Sequence, residues 1–237
     1  MAGRLYIETL EPSRLMADLV VDAPITASAN LAPRHWLSIV RYQNARAHLG
    51  RAFWGLTPGW LDVLDHAPHC ARAESIDSRA MFREAFAARR CLVPVSGVYI
   101  WKQLPRQKQP FLVTRTDRTP FLLAGLWCRY FTTPRTAFDS VALITTGVNA
   151  PIEALTDRFP VVIHADHALK WLDPMTPPEQ ARDWLVPAPP SLLGAFPVAR
   201  GVNNPANQHW HCARPTGRML TAHRGAVSAE PSPAREK

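Results

Sequence analysis

The side chains able to do chemistry are thinly spread in this sequence. Four cysteines, Cys70, Cys91, Cys128 and Cys212, stand apart, with no Cys-x-x-Cys pair and no zinc-like spacing. Each reads first as a small apolar core residue. His209 and His211 precede Cys212, but the run has no second half elsewhere, so neither a metal nor a cofactor is expected. No Ser/His/Asp or Cys/His pair can be picked out, which argues against a general protease. A thiol becomes a nucleophile only where a neighbour lowers its pKa, and spacing alone singles out none of the four.

The charge balance points to binding. The chain carries 27 Lys plus Arg against 19 Asp plus Glu, a formal charge of +8. Arginine dominates, the lysines being only Lys102, Lys108, Lys170 and Lys237. A guanidinium can fork onto phosphate oxygens and stack on bases, so a nucleic-acid partner fits. An arginine-rich surface without a partner fits equally well. Apolar residues make up 47% of the 237-residue chain, enough for a packed core. No apolar run is long enough to span a bilayer, and the first residues lack the apolar block of a secretory signal. The expectation is a cytoplasmic protein with no membrane partner and reduced cysteines.

The elements that must position these groups are short. Residues 11–19 suggest a helix, with Leu15, Met16 and Leu19 on one face. Asn30-Leu31-Ala32-Pro33 reads as a loop and residues 36–42 as a strand. Phe53 to Trp60, with two glycines and a proline among aromatics, suits a shaped loop. Residues 78–89 predict a helix capped by Ser78. Residues 91–101 predict one strand bent at Pro94 and Gly97. Further strands are expected at 111–114, 121–130, 140–146, 160–163 and 195–202, and short helices at 165–172 and 177–184. From about Thr216 the hydrophobic pattern fades. The expected organisation is a domain over residues 1–212 with a disordered tail over 213–237. Strands mixed with a few helices, without a βαβ rhythm, indicate an α+β fold whose mixed sheet curls into a barrel-like core with peripheral short helices.

An ordered set of short motifs then resembles the SOS-response-associated peptidase (SRAP) family over residues 2–207. Gly3-Arg4-Leu5 resembles the end of a Cys-Gly-Arg start, and Asn30-Leu31-Ala32-Pro33 an Asn-x-Ala-Pro loop. Trp54-Gly55-Leu56 with Pro58 and Trp60, Ala71-Arg72-Ala73-Glu74, and Arg90-Cys91-Leu92-Val93-Pro94 leading to Gly97, Tyr99 and Trp101 follow in order. Lys108-Gln109-Pro110-Phe111, Ala124-Gly125-Leu126-Trp127, Thr145-Thr146 with Asn149, Asp157-Arg158-Phe159-Pro160-Val161 and Val198 to Asn203 complete the series. Any one is weak; the order is specific. The resemblance implies a barrel-like mixed fold with a basic groove for single-stranded DNA.

It also implies a mechanism whose residues are absent here. In the family an N-terminal Cys condenses with the aldehyde of an abasic sugar and its thiol closes a thiazolidine, while an Asn, a Glu and a His position the sugar and move protons. At those positions this chain has Ala2, Cys70, Ile100 and Thr156. Ala2 has no sulfur, and Ile100 and Thr156 cannot carry protons as a carboxylate and an imidazole do. Ala2 is small enough for Met1 to be removed, and a free α-amine, titrating near ~8, suits a reversible imine with the abasic aldehyde that the resemblance implies. Cys70, at the Asn position, would need a neighbour that lowers its pKa to act as a nucleophile. What the resemblance leaves for DNA is Arg4, Arg72 and Arg158 for phosphates, Asn30 and Pro33 in the site loop, and Trp54, Pro58 and Trp60 as a platform for unpaired bases. Trp60 and Trp101 could equally be core, and Arg72 could pair with Glu74. Three functions follow: a SRAP-like protein of the DNA damage response that binds single-stranded or abasic DNA without cross-linking it, an abasic-site enzyme working through the Ala2 amine or Cys70, or a protein-interaction module that keeps only the fold.

Overall fold

The computed structural model describes residues 3–61 and 67–222. Five strands close into a barrel: Thr136–Thr146, Phe121–Thr133, Arg90–Val95, Trp36–Gln43 and Arg46–Trp54 neighbour one another in turn. The last returns to the first through a parallel pairing, Ser140 with Phe53 and Val141 with Trp54. A second, five-stranded sheet runs Leu193–Pro197, Gln107–Arg115, Gly97–Leu104, Leu5–Ile7, Ser28–Leu31. The fold is α+β with a mixed sheet curled into a barrel, as the sequence pattern indicates.

Strand alternation divides the apolar residues. Leu37, Ile39, Trp54, Val93, Leu123, Val141 and Leu143 form one buried cluster, which continues into Leu5, Ile7, Val98 and Ile100 of the second sheet. Val40, Leu49, Leu92, Ala124, Ala142 and Ile144 belong to another, covered by helix α1 (Ala80–Ala88) through Phe82, Ala85 and Phe86 and by helix α2 (Ala165–Leu172) through Ala168, Trp171 and Leu172. Gly125 sits where strands crowd: a Cβ there would lie 2.9 Å from Cys91 Sγ. The Ala-Gly-Leu-Trp motif is therefore a packing motif.

Arg90 joins the helices to the barrel. Its side chain is buried, 1% exposed for the residue. Its guanidinium donates to the carbonyls of Phe86 and Ala87 at 2.8 and 3.0 Å, of Trp171 at 2.8 Å, and of Asp173 and Thr176 at 2.5 and 3.0 Å. These carbonyls lie at the C-terminal ends of α1 and α2 and just beyond, where helices leave acceptors unsatisfied and favour a cation.

Several expectations are corrected by the structure. Residues 11–19 form no α-helix: a single 3-10 turn covers Pro12–Arg14, and Asp18 takes a positive φ of 54° that a helix excludes. Ser78 does not cap α1; its hydroxyl donates to Ser75 O at 3.2 Å, and Arg79 is the capping residue, without a side-chain bond. The segment 91–101 is two strands in two sheets, broken at buried Ser96, whose amide donates to Tyr6 O at 2.9 Å. Gly97 is needed just after the crossing, because a Cβ would lie 2.8 Å from Leu112 Cδ1 and 3.0 Å from Val113 O. The strand 195–202 ends at Pro197 and turns into a 3-10 segment at Arg200–Asn203. Phe53 and Trp54 close a regular strand, Arg46–Trp54, rather than opening a loop. Of the segment expected as a tail, residues 213–222 are described and mostly exposed, with Leu220 paired to Ala195 and Thr216 N donating to Pro197 O at 2.9 Å. The remainder of the expected tail lies outside the described residues. The third helix, α3, spans Pro178–Asp183.

Replacing Arg90 by Met keeps the bulk and strands five carbonyls. The expected loss is about 3–5 kcal/mol, comparable to breaking a buried ionic network, read as a lower urea midpoint at unchanged slope.

Candidate functional site

The site is assembled around a buried amide. Asn30, fully buried at the end of the second sheet, donates through Nδ2 to the carbonyls of Val202, Asn204 and Asn207 at 3.0, 3.0 and 3.1 Å. Its Oδ1 accepts from Arg4 Nη1 at 2.7 Å. Arg4 donates onward to Val202 O at 2.8 Å and Asn203 O at 3.3 Å, and lies over the Trp101 ring at 5.9 Å. Trp101 Nε1 donates to Asn203 Oδ1 at 2.7 Å. Tyr99 Oη donates to Ala29 O at 2.7 Å. This network fastens the C-terminal turns over the sheet.

Beside it opens a cavity of about 400 Å³. Arg4, Trp101 and Asn203 form one part of its lining, Ile100 and Thr156 another, and Gln103 and Lys108 a third. Two of the altered positions, Ile100 and Thr156, thus meet in one cavity. Ile100 is 3% exposed and packs with the barrel cluster. Thr156 Oγ1 donates to Arg158 O at 3.3 Å. Ala2 lies outside the described residues.

Cys70 begins a short strand beside Leu143. Burial pushes its thiol up to about 12, although nearby Arg158 acts in the opposite sense. A thiol so desolvated is a poor nucleophile at neutral pH. All four cysteines are thiols rather than disulfides. Among the described residues no group of three or more His, Cys, Asp and Glu could hold a metal ion.

The three arginines differ in what holds them. Arg158 forks onto Glu74, with Nη1 and Nη2 at 3.1 and 2.8 Å from the carboxylate oxygens, and donates to Thr145 O at 2.7 Å. That guanidinium holds the Glu74 carboxyl below its usual range. Glu74 therefore pairs with Arg158, and not with the neighbouring Arg72, the alternative the sequence left open. Arg72 is exposed. Arg4 has only neutral partners in the bonds above.

The expected aromatic platform comes apart. Trp54 is fully buried and donates through Nε1 to His69 O at 2.9 Å, so it holds the barrel wall and has no face for a base. Pro58 is buried also, while Trp60 is 58% exposed. Asn30, with its amide spent on the network, is a positioning residue, and Pro33 is half-buried in the loop after it. Lys108 and Gln103 reach the cavity because they face each other across two strands. In the sequence Lys108 is visible only as part of Lys-Gln-Pro-Phe, and nothing there reveals that pairing.

The family model described as SOS response associated peptidase (SRAP) matches residues 1–205. Abasic site processing protein YoaM of Bacillus subtilis is 30% identical over 184 residues, 76% of this chain and 81% of that protein. Abasic site processing protein YedK of Escherichia coli is 25% identical over 193 residues, 81% of this chain and 86% of that protein. An X-ray structure of a Bordetella bronchiseptica protein has a TM-score of 0.72 at 22% identity, covering 83% of this chain and 99% of that one. A Bacteroides thetaiotaomicron structure gives 0.70 at 21% identity, covering 78% and 84%. At these identities the two structures establish the fold alone.

With its thiol near 12, Cys70 should resist iodoacetamide at pH 8, reacting at a rate at least about a hundredfold below that of an unburied thiol. Alkylation should accelerate through pH 10 without a plateau and become fast on unfolding, as read by peptide mass spectrometry. A fast reaction levelling off near pH 8 would show an activated thiol instead.

Proposed function

The chain belongs to the SOS response associated peptidase family, and from that premise we propose that it binds single-stranded DNA, abasic strands included, in the DNA damage response without cross-linking to it. The observation that carries this reading is the cavity itself. It keeps the cations, with Arg4 and Lys108 in its lining, while Ile100 and Thr156 occupy the positions where the family resemblance places a carboxylate and an imidazole. Binding needs fixed positive charge and an unpaired ring; covalent capture of an aldehyde needs a nucleophile and groups that move protons. In this reading the first set is kept, while Ile100 and Thr156 leave the second without its proton carriers. Relatives such as YoaM and YedK are named for abasic site processing, and abasic DNA is the damaged substrate proposed here.

The binding surface is proposed to consist of Arg4, Arg72 and Lys108 for phosphates and Trp60 for a base, with Arg158 held in reserve by Glu74. Phosphate contacts of this kind orient a strand without reading its sequence. Stacking on one exposed ring contributes roughly 1–3 kcal/mol. Cys70, half-buried and poorly acidic, is not assigned a covalent role.

Fluorescence anisotropy with a labelled single strand tests the proposal. Binding is expected with a log–log salt slope of about −2, from about three phosphate contacts at ~0.7 each, and Trp60→Ala should weaken it by about tenfold or more. A protein that binds no strand at low salt would be a module that keeps only the fold. Glu74→Gln gives a sharper result. It frees the Arg158 fork and adds one positive charge, so affinity should rise several-fold and the slope steepen by about 0.7. The cost in stability should stay below about 1 kcal/mol, because Glu74 is 55% exposed in the pair.

A further inference from the structure

The charge of the cavity beside Trp101 suits a ligand other than an aldehyde. Among the described residues lining it, Arg4 and Lys108 are cationic and none is acidic. Arg4 is fixed entirely by neutral groups, the Asn30 amide oxygen and the carbonyls of Val202 and Asn203. It is held in place with no carboxylate partner among the described residues. Arg115, Arg129 and Arg158 are placed differently, each within hydrogen-bonding distance of a carboxylate. Arg4 uses Nη1 twice and Nη2 once, and a guanidinium has five N–H donors, so donors remain for an anion.

The neighbours add polar reach and a surface. Gln103 and Asn203 carry amide donors, and the Asn203 oxygen is already taken by Trp101 Nε1, which turns its nitrogen to other use. Trp101 offers an aromatic wall. The volume, about 400 Å³, exceeds what a bare phosphate needs and lies in the range of small-ligand sites. A carboxylate at position 100 would repel an anion; Ile100, buried and apolar, does not.

We propose that this cavity is a phosphomonoester site that takes the terminal phosphate of a single strand, with the end nucleotide against Trp101. The inference rests on the proposed strand binding. A terminal phosphate carries about −1.5 to −2 at neutral pH, against about −1 for a phosphate within the strand. Two uncompensated cations in a recess therefore favour an end over a middle. The same chemistry is offered by a free nucleoside monophosphate, and the experiment separates the two sources.

Calorimetry or anisotropy would compare ten-residue thymidine strands bearing a 5′-phosphate, a 3′-phosphate or no phosphate, and thymidine monophosphate alone. One phosphorylated end is expected to bind at least about tenfold tighter than the unphosphorylated strand, the scale of one charge-assisted hydrogen bond. Lys108→Gln, an exposed change, and Ile100→Glu should each abolish that preference, while Lys170→Gln on α2 leaves it intact. Equal affinity for all strands, phosphorylated or not, would overturn the phosphomonoester site and leave strand binding standing. Binding of the mononucleotide with no strand bound would overturn strand-end recognition and strand binding together. No binding of any probe would overturn both as well.

Discussion

The geometry of the site depends on one buried amide. Asn30 is removed from water and links three distant parts of the chain: Arg4 near the start, the turn at Val202–Asn204, and Asn207. An amide placed there must satisfy every polar atom internally, since an unpaired buried group costs about 1–3 kcal/mol. The three carbonyls and the guanidinium do so. They also fix where the C-terminal turns lie on the second sheet, and so bring Asn203 to Trp101 and Arg4 over its ring. Without the amide, the wall of the cavity would have no register. In the proposed binding mode Asn30 belongs to the architecture that presents the site.

The arginines show how one residue type serves different ends. Arg90 is spent on helix-end carbonyls inside the protein. Arg158 is spent on Glu74, with its charge largely cancelled. Arg4 is held as firmly, but by neutral acceptors, and keeps its charge. The formal +8 of the chain does not predict which cation meets a phosphate, because that depends on the sign of each cation's partners. At the cavity the partners are neutral, and that difference supports the proposed assignment of ligand binding to Arg4.

Much of the fold was legible in the sequence, for identifiable reasons. Residues 165–172 carry a helical apolar spacing that the structure keeps, and the Phe121–Thr133 and Thr136–Thr146 strands carry long apolar runs. The break at Ser96 was not legible, because both halves have strand composition and only the crossing between sheets separates them. The segment 11–19 has helical spacing, yet its residues serve only partly buried contacts with the barrel cluster. At the site, the family resemblance implied that Ile100 and Thr156 lie around one site with Ala2 and Cys70, and Ile100 and Thr156 do line one cavity. It could not reveal that Trp54 faces inward, since an aromatic at the end of a strand looks the same whichever side it takes. Nor could it show that Glu74 reaches Arg158, 84 residues away, rather than Arg72. Pairings across strands decide such matters, and they leave no trace in local composition.

The proposed function is that of a family fold that holds DNA without capturing it covalently. The most direct test is intact-mass spectrometry of the protein after incubation with a single strand carrying one abasic site, with and without borohydride, under conditions where binding is first established. The account predicts an unmodified protein mass in both arms. A mass increased by the strand without reductant would mean that a stable cross-link still forms, and an increase only with borohydride would mean that an amine forms an imine; either result contradicts the account.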